Sequence, residues 1–396
     1  MKWRLTLSAP KRADGAVWVL LTGACLTAVL IVGRWQTAVD YPVYVMAAYG
    51  FLRGENVYAW GEPDYARVAA ELGFARYAPP YRYPPLTALV AAPLLGLSAA
   101  GLWVWSALQA GAWLFTAWVL GTLAPPGGRR RLIWLGVGLL VPFFVSLYAG
   151  QVNPLATLLA AAAVALLIRG RAAGGVLLGL SLMLKPLALG LAALLLWERR
   201  WVTAGQVIAA AAAGAGVSAL VLEPATLSLA WATSALAVAP YPPAQSLPGL
   251  TARWLTAHPY GFSLADDPIA ARWAGLGLAA VLGAATMAAC WPPDSSAGRF
   301  GVRAGLVCAA VLLANPGTWY HHATMLAIPL AVLVGRAAHR PAWWWAALLL
   351  SYGLVQVWGV AWHAFVGLTP LLDLATLGML GIWVLLSLES RRKGEA

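Results

Sequence analysis

The chain reads as a succession of long apolar runs separated by short, mostly basic connections. A run needs about 20 residues to cross a ~30 Å hydrocarbon core as a helix, and fewer where neighbours shield it. Runs of this kind fall at roughly 16–34, 99–123, 132–148, 154–168, 203–222, 268–291, 302–314, 319–335, 342–362 and 371–388, with a further one at 174–197. They predict an all-α polytopic membrane protein built as a single integral unit over 1–396. The first run lacks a following small-residue cleavage site, so it is expected to be a retained span rather than a removed signal.

The 174–197 run is the informative one. The chain holds only four lysines, and Lys185 is the one that lies mid-way through an apolar segment, with Pro186 directly after it. A cation at membrane depth costs about 2.5–3.5 kcal/mol on insertion scales, which makes it a functional candidate by default. Proline at the next position removes a backbone donor and breaks the helix at the charge. Such breaks survive at membrane depth only where they line a polar cavity or are buried in protein. The plainer alternative is a lysine that snorkels to the interface.

Orientation follows from the basic residues. Lys2, Arg4, Lys11 and Arg12 place the N-terminus inside, and the clusters Arg129–Arg131, Arg169 with Arg171, Arg199 with Arg200, Arg299 with Arg303, Arg336 with Arg340, and Arg391–Lys393 should join it. Arginines at both ends of 174–197 require that segment to enter, turn at Lys185-Pro186 and return. Each half is too short to cross alone at about 1.5 Å per residue, so a broken re-entrant pair is predicted. Counting it as two gives about twelve transmembrane helices with both termini cytoplasmic. Residues 84–97 are demoted to a short outer helix, since a span there would move Arg129–Arg131 outside. The polar chemistry then lies on the outer face, in a first loop over 34–98 carrying short amphipathic helices and a second over 223–267.

Composition sharpens this picture. Hydrophobic residues make up 61% of the chain and charged residues 10%, against about 25% charged in soluble domains. The net charge of +12 sits in short loops between apolar runs, a topology signal and not a nucleic-acid groove. Cys25, Cys290 and Cys308 lie far apart in apolar segments and read as free, packed thiols. There is no glycine-rich phosphate loop and no Walker pattern, so an activated substrate would have to arrive through the membrane.

Candidate chemistry gathers in the outer segments. Asp40 follows the first span in an otherwise uncharged stretch, where burial would lift a carboxyl toward the working pH and suit a general base; a loop or capping aspartate is the plainer reading. Gln151 and Asn153 precede Pro154 at an outer helix start, offering hydrogen bonds to a sugar or, for Asn153, a helix cap. His321 and His322 open another outer helix. Adjacent residues point about 100° apart on a helix, so a phosphate or sugar contact by one of them is expected and metal is not. Most of the tryptophans sit at span ends as interfacial belts, while Trp60 and Trp319 lie in outer segments where they can stack on sugars.

DYPVYVMAAYGFLRGENVY, YRYPPL, GQVNP, GRAAGGVLLGLSLMLKP, WERRW, QSLPGLTAR and NPGTWYHH resemble, in that order, motifs of glycosyltransferase family 87, from about residue 38 to 330. The proline-rich stretch APYPPAQSLP departs from the pattern. The resemblance implies a GT-C-type bundle in the plasma (inner) membrane with its active site facing outward. It implies an inverting transfer of a sugar from a polyprenyl-phosphate donor to a cell-envelope glycolipid or glycan, with mannose the default sugar and arabinofuranose the second choice. Asp40 would be the general base and Lys185 the donor-phosphate ligand. Tyr81, Arg82, Gln151, Asn153, Gln245, Ser246, Arg253, His321 and His322 would complete the donor site, with no cofactor, no metal-ligating residues and no nucleic acid, the metal requirement itself being left open. A lipid-linked sugar transporter or flippase is the competing class, because a broken helix with a central charge is also a transporter pattern.

Overall fold

A computed structural model describes residues 12–74, 79–222, 238–293 and 296–392. The fold is all-helical, with 77% helix and no strand among the described residues. The helices run back and forth between two ends. α1 (Arg12–Trp35) rises from a lower end, where Asp14 pairs with Arg131 at 3.1 Å. At the upper end the Asp40 N–H donates to the Ala149 carbonyl at 2.9 Å. α2 (Tyr41–Leu52), α3 (Glu62–Glu71) and α4 (Pro85–Ala91), continued by a 3-10 stretch Ala92–Leu97, stay at the upper end.

α5 (Ser98–Gly121) descends; α6 (Gly128–Gly138) and α7 (Val141–Ala149) climb back, broken just before Pro142. α8 (Asn153–Ile168) descends, α9 (Gly174–Leu184) rises, α10 (Leu189–Trp197) descends and α11 (Trp201–Val221) rises. After residues 223–237, the part of the second loop that lies outside the described residues, α12 (Leu247–Leu255) sits at the upper end. α13 (Pro268–Ala289) then descends, α14 (Ala297–Ala314) rises, and the 3-10 stretch Tyr320–Leu326 with α15 (Ala327–Arg336) descends. α16 (Ala342–Ala361) rises and α17 (Leu374–Ser390) closes the bundle.

The lower end collects arginines, as the charge pattern anticipates. Arg129 donates to the Gly335 carbonyl at 2.8 Å, Arg303 to Glu198 at 3.2 Å, and Arg340 pairs with Glu389. Cys25, Cys290 and Cys308 are buried and unbonded.

Six helices among the described residues are long and apolar enough to cross a membrane: Ala13–Trp35, Gly128–Ala149, Trp201–Val221, Pro268–Ala289, Tyr320–His339 and Ala342–Phe365. The two halves around Lys185 are shorter than a span, whereas α5, with 24 residues, has the length of one; six crossings rest on length and composition, and the expected twelve needs the shorter helices to cross as well. One expectation needs correction: α2, in the first outer loop, is not amphipathic. Tyr41, Val43, Tyr44, Val45, Met46, Ala47, Ala48, Gly50 and Phe51 are all buried, leaving it no polar face. Only α3 keeps the amphipathic pattern, with Tyr65, Val68 and Ala69 inward and Glu62, Arg67 and Glu71 outward.

The turn at Lys185 is present, and glycines set it. A Cβ on Gly175 would lie 2.5 Å from the Thr203 carbonyl, one on Gly179 2.5 Å from that of Val207, and one on Gly214 3.3 Å from Met183. Residue numbers rise together on both helices, so α9 and α11 are parallel, their backbones in contact as small-residue faces permit. The intervening α10 must therefore run back down, and Gly190 packs it against Val307 and Val311 of α14. The residue before proline is pushed from helical to extended backbone: Lys185 sits at φ −159°, ψ 127°, and ends α9 at the upper end.

Candidate active site

Lys185 leaves α9 with its N–H still bonded to the Ser181 carbonyl at 2.9 Å, so the break is anchored from below. Thr87 of α4 donates to the Leu184 carbonyl at 2.6 Å, which clamps the apex from the side. The side chain is 7% exposed, and its ammonium donates to Oε1 of Gln151 at 2.9 Å. It also lies 5.0 Å from the centre of the Tyr83 ring, a distance at which the ring's negative face attracts a cation.

Gln151 is placed by Gly150. That residue ends α7 at φ 74°, and a Cβ there would meet Ala38 at 2.7 Å, so both conformation and space call for glycine. Gln151 is thereby turned inward, 3% exposed, with Nε2 donating to Asp40 Oδ2 at 2.7 Å. Tyr44 donates to its Oε1 at 3.1 Å, and the Tyr83 hydroxyl accepts from its Nε2 at 3.1 Å. One amide therefore joins carboxylate, ammonium and two phenols.

Asp40 stands at the N-cap position of α2, yet its carboxylate makes no capping bond. The capping reading thus fails, and the group faces Gln151 instead. Burial pushes the Asp40 carboxyl up to about 6, against the opposing pull of the Lys185 charge and of hydrogen bonds from Gln151 and Tyr83. A carboxyl held there is ionised at neutral pH and is far more basic than a solvated one.

The other sequence-derived residues divide into two groups. Asn153 does not cap α8; its Nδ2 donates to the His321 carbonyl at 3.0 Å. His321 and His322 are both 8% exposed, their rings 4.5 Å apart, and both lie within electrostatic reach of Lys185. His322 Nδ1 accepts from the Trp319 N–H at 3.0 Å, so this imidazole caps its own turn. These three residues border the Gln151 cluster.

The second group builds the frame. Tyr81 donates to the Pro84 carbonyl at 2.7 Å and accepts from the Ala88 N–H, which knots the turn that carries Tyr83. Arg82 points outward, exposed. Gln245 bonds the carbonyls of Pro242 and Leu372 and accepts from Thr376, and Ser246 caps α12 by accepting from Gly249. Arg253 is fully buried against Asp373, with a further bond to the Ala244 carbonyl at 2.8 Å. Of these three expected donor ligands, Gln245 and Arg253 have polar groups engaged in joining α12 to the start of α17, while the Ser246 hydroxyl caps α12 itself. Trp60 lies over Gly50 and against Tyr65, a packing role.

Tyr83 and Tyr44 were not singled out as site residues by sequence. Both lie inside quoted motifs, Tyr83 two residues beyond Tyr81 and Tyr44 one turn past Asp40, which is the only signal that marks them. Among the described residues no three His, Cys, Asp or Glu side chains cluster. The arrangement offers a buried base, a buried cation and a hydrogen-bonding bridge, suited to moving a proton beside a group that gains negative charge.

The sequence profile of glycosyltransferase family 87 matches residues 81–316. No curated protein and no solved structure matches the chain.

Proposed function

The chain belongs to glycosyltransferase family 87, and from that premise we propose that it transfers a sugar, mannose by preference, from a polyprenyl-phosphate donor to a cell-envelope glycolipid or glycan. Membership decides for a transferase over the transporter that a broken helix also suggests. The observation that carries the finer reading is the pairing of Asp40 and Lys185 on opposite ends of Gln151.

In this reading the acceptor hydroxyl gives its proton to Asp40 as its oxygen attacks the anomeric carbon. The bond from that carbon to the phosphate oxygen breaks on the opposite face, which inverts the configuration. The electron pair leaves with the lipid monophosphate, and the Lys185 ammonium stabilises the charge that develops there. Tyr83 supports Lys185, and one of the two histidines contacts phosphate or sugar. The donor enters beside α4, which packs on the apex of the α9–α10 turn.

The alternating passes, with the arginines at the lower end, support a GT-C-type bundle of about twelve helices in the plasma membrane. The termini are then cytoplasmic and the site faces outward. Shielding by neighbours lets the shorter helices cross. The test is incubation of the purified protein with polyprenyl-phosphate sugars and cell-envelope lipids, with products read by mass spectrometry. A glycosylated lipid formed only with polyprenyl-phosphate-mannose is the expected result. Transfer from arabinofuranosyl donors alone would correct the sugar, and no transfer from any polyprenyl phosphate would overturn the donor class.

A further inference from the structure

We infer that the mouth of the site carries an acceptor platform, an aromatic shelf built on Trp319 and Tyr241 that receives a pyranose ring beside Asn153 and Thr318. The inference rests on the transferase reading above and deepens it. Trp319 is 43% exposed, yet its backbone is fixed from both sides. It pairs with Ala244 in an antiparallel bridge, Tyr320 donates to the Pro243 carbonyl at 2.7 Å, and the Trp319 N–H is held by His322. A large ring kept rigid in the open loses little freedom when a ligand binds.

The neighbouring rings continue the shelf. Tyr241 lies 5.5 Å from Trp319, and Tyr260 and Trp362 flank Tyr241 at 5.6 and 6.4 Å. They tilt against one another, whereas an interfacial belt would present rings singly to the headgroups. On its inner side Trp319 is 5.9 Å from His321, whose carbonyl is held by Asn153, two residues from Gln151. The shelf thus leads from the upper surface to the Asp40 cluster.

The polar atoms identify the occupant. Asn153 Oδ1 and Thr318 Oγ1 belong to fully buried side chains and have no hydrogen-bond partner. Such groups are unfavourable until a ligand or water completes them. A pyranose answers both demands, with its C–H face against the negative face of an aromatic ring, and its hydroxyl edge reaches Asn153 and Thr318, whose polar atoms are covered, as the side chains over them move aside. A polyprenyl tail would suit the rings and leave both polar atoms unpaired.

The experiment separates acceptor from donor. The full chain in lipid nanodiscs is supplied with polyprenyl-phosphate-mannose and octyl α-mannoside, and Trp319→Ala and Tyr241→Ala are compared with wild type. Two quantities are read: the acceptor KM, and the slow hydrolysis of donor by water without acceptor. The acceptor KM should rise about tenfold, the scale of one lost stacking contact, with donor hydrolysis and melting unchanged and Trp319→Phe close to wild type. An unchanged KM overturns the platform, as does donor hydrolysis falling in parallel with transfer. Saturation-transfer NMR with methyl α-mannoside and methyl β-glucoside needs no catalysis, and its signal should vanish in Trp319→Ala. Glycoside binding through Trp319 in a protein that transfers nothing would uphold the platform and remove the transferase mechanism. Transfer that is intact while neither KM nor NMR signal responds would remove the platform alone.

Discussion

Asp40 and Lys185 hold opposite ends of one amide: Gln151 donates to the carboxylate at 2.7 Å and accepts from the ammonium at 2.9 Å. The two charges are coupled through a bridge and not through a direct ion pair. Direct pairing would lower the carboxyl's proton affinity and direct the ammonium at the wrong anion. With the bridge in place, Asp40 keeps a basic carboxylate and Lys185 keeps donors for a phosphate.

The pH dependence follows from that bridge. Asp40 is raised to about 6 by burial, and a base works only when deprotonated, so kcat/KM should fall as pH drops through about 6. Lys185→Met removes the cation that pulls the Asp40 value down, so this limb should move to higher pH. Gln151→Leu removes a hydrogen bond that also holds the Asp40 value down and puts apolar bulk in its place, so the limb should again move to higher pH while kcat falls. The pH–rate profiles of the three proteins decide the point, and a limb that shifts in neither variant would detach Asp40 from the reaction.

Lys185→Met should weaken donor binding by about 1.5–3 kcal/mol, the scale of a hydrogen bond to a charged group. Its fold should be unharmed or slightly stabilised, because an apolar thioether replaces a buried ammonium. Lys185→Arg should recover only part of the affinity, since a planar fork does not fit a space made for a point charge. Donor titration beside a melting curve reads both effects. A snorkelling lysine would instead leave donor affinity unchanged in both variants.

The Arg253–Asp373 pair is expected to matter for stability alone. Both side chains are buried, and Trp254 Nε1 also donates to Asp373 at 2.7 Å. Arg253→Met leaves a buried carboxylate uncompensated and should cost about 3–5 kcal/mol, while Arg253→Met with Asp373→Leu should recover most of it. Thermal unfolding and donor titration of the three proteins test this; lost donor affinity at unchanged stability would return Arg253 to the donor site.

Topology is testable in intact cells. The three native cysteines are buried, so they should be silent to an impermeant thiol reagent. Cysteines placed at the exposed positions Arg82 and Asp266 should label from outside, and one at exposed Arg171 should not. The reverse pattern would invert the bundle.

Much of this site was legible in the sequence because its elements announce themselves locally. A lone mid-run lysine before proline foretold both the break and the turn, and GQVNP marked Gln151 as a hydrogen-bonding candidate at an outer helix start. Other features depend on tertiary contacts that no local pattern encodes. Arg253 read as a ligand because its partner Asp373 lies 120 residues away. Tyr83 gained its role only when α4 packed against the apex of α9. The burial of α2 was hidden because its segment, one of twelve residues, sits in a loop that charge placed outside the membrane.

The most direct test of Asp40 as the base is single-turnover transfer by Asp40→Asn at saturating donor and acceptor. The amide preserves shape and can still meet Gln151, but it takes no proton at neutral pH. Transfer should fall by about 10²-fold or more, with donor affinity and melting temperature near those of wild type. A variant that keeps more than about a third of wild-type activity would contradict the assignment and move the base to His321 or His322.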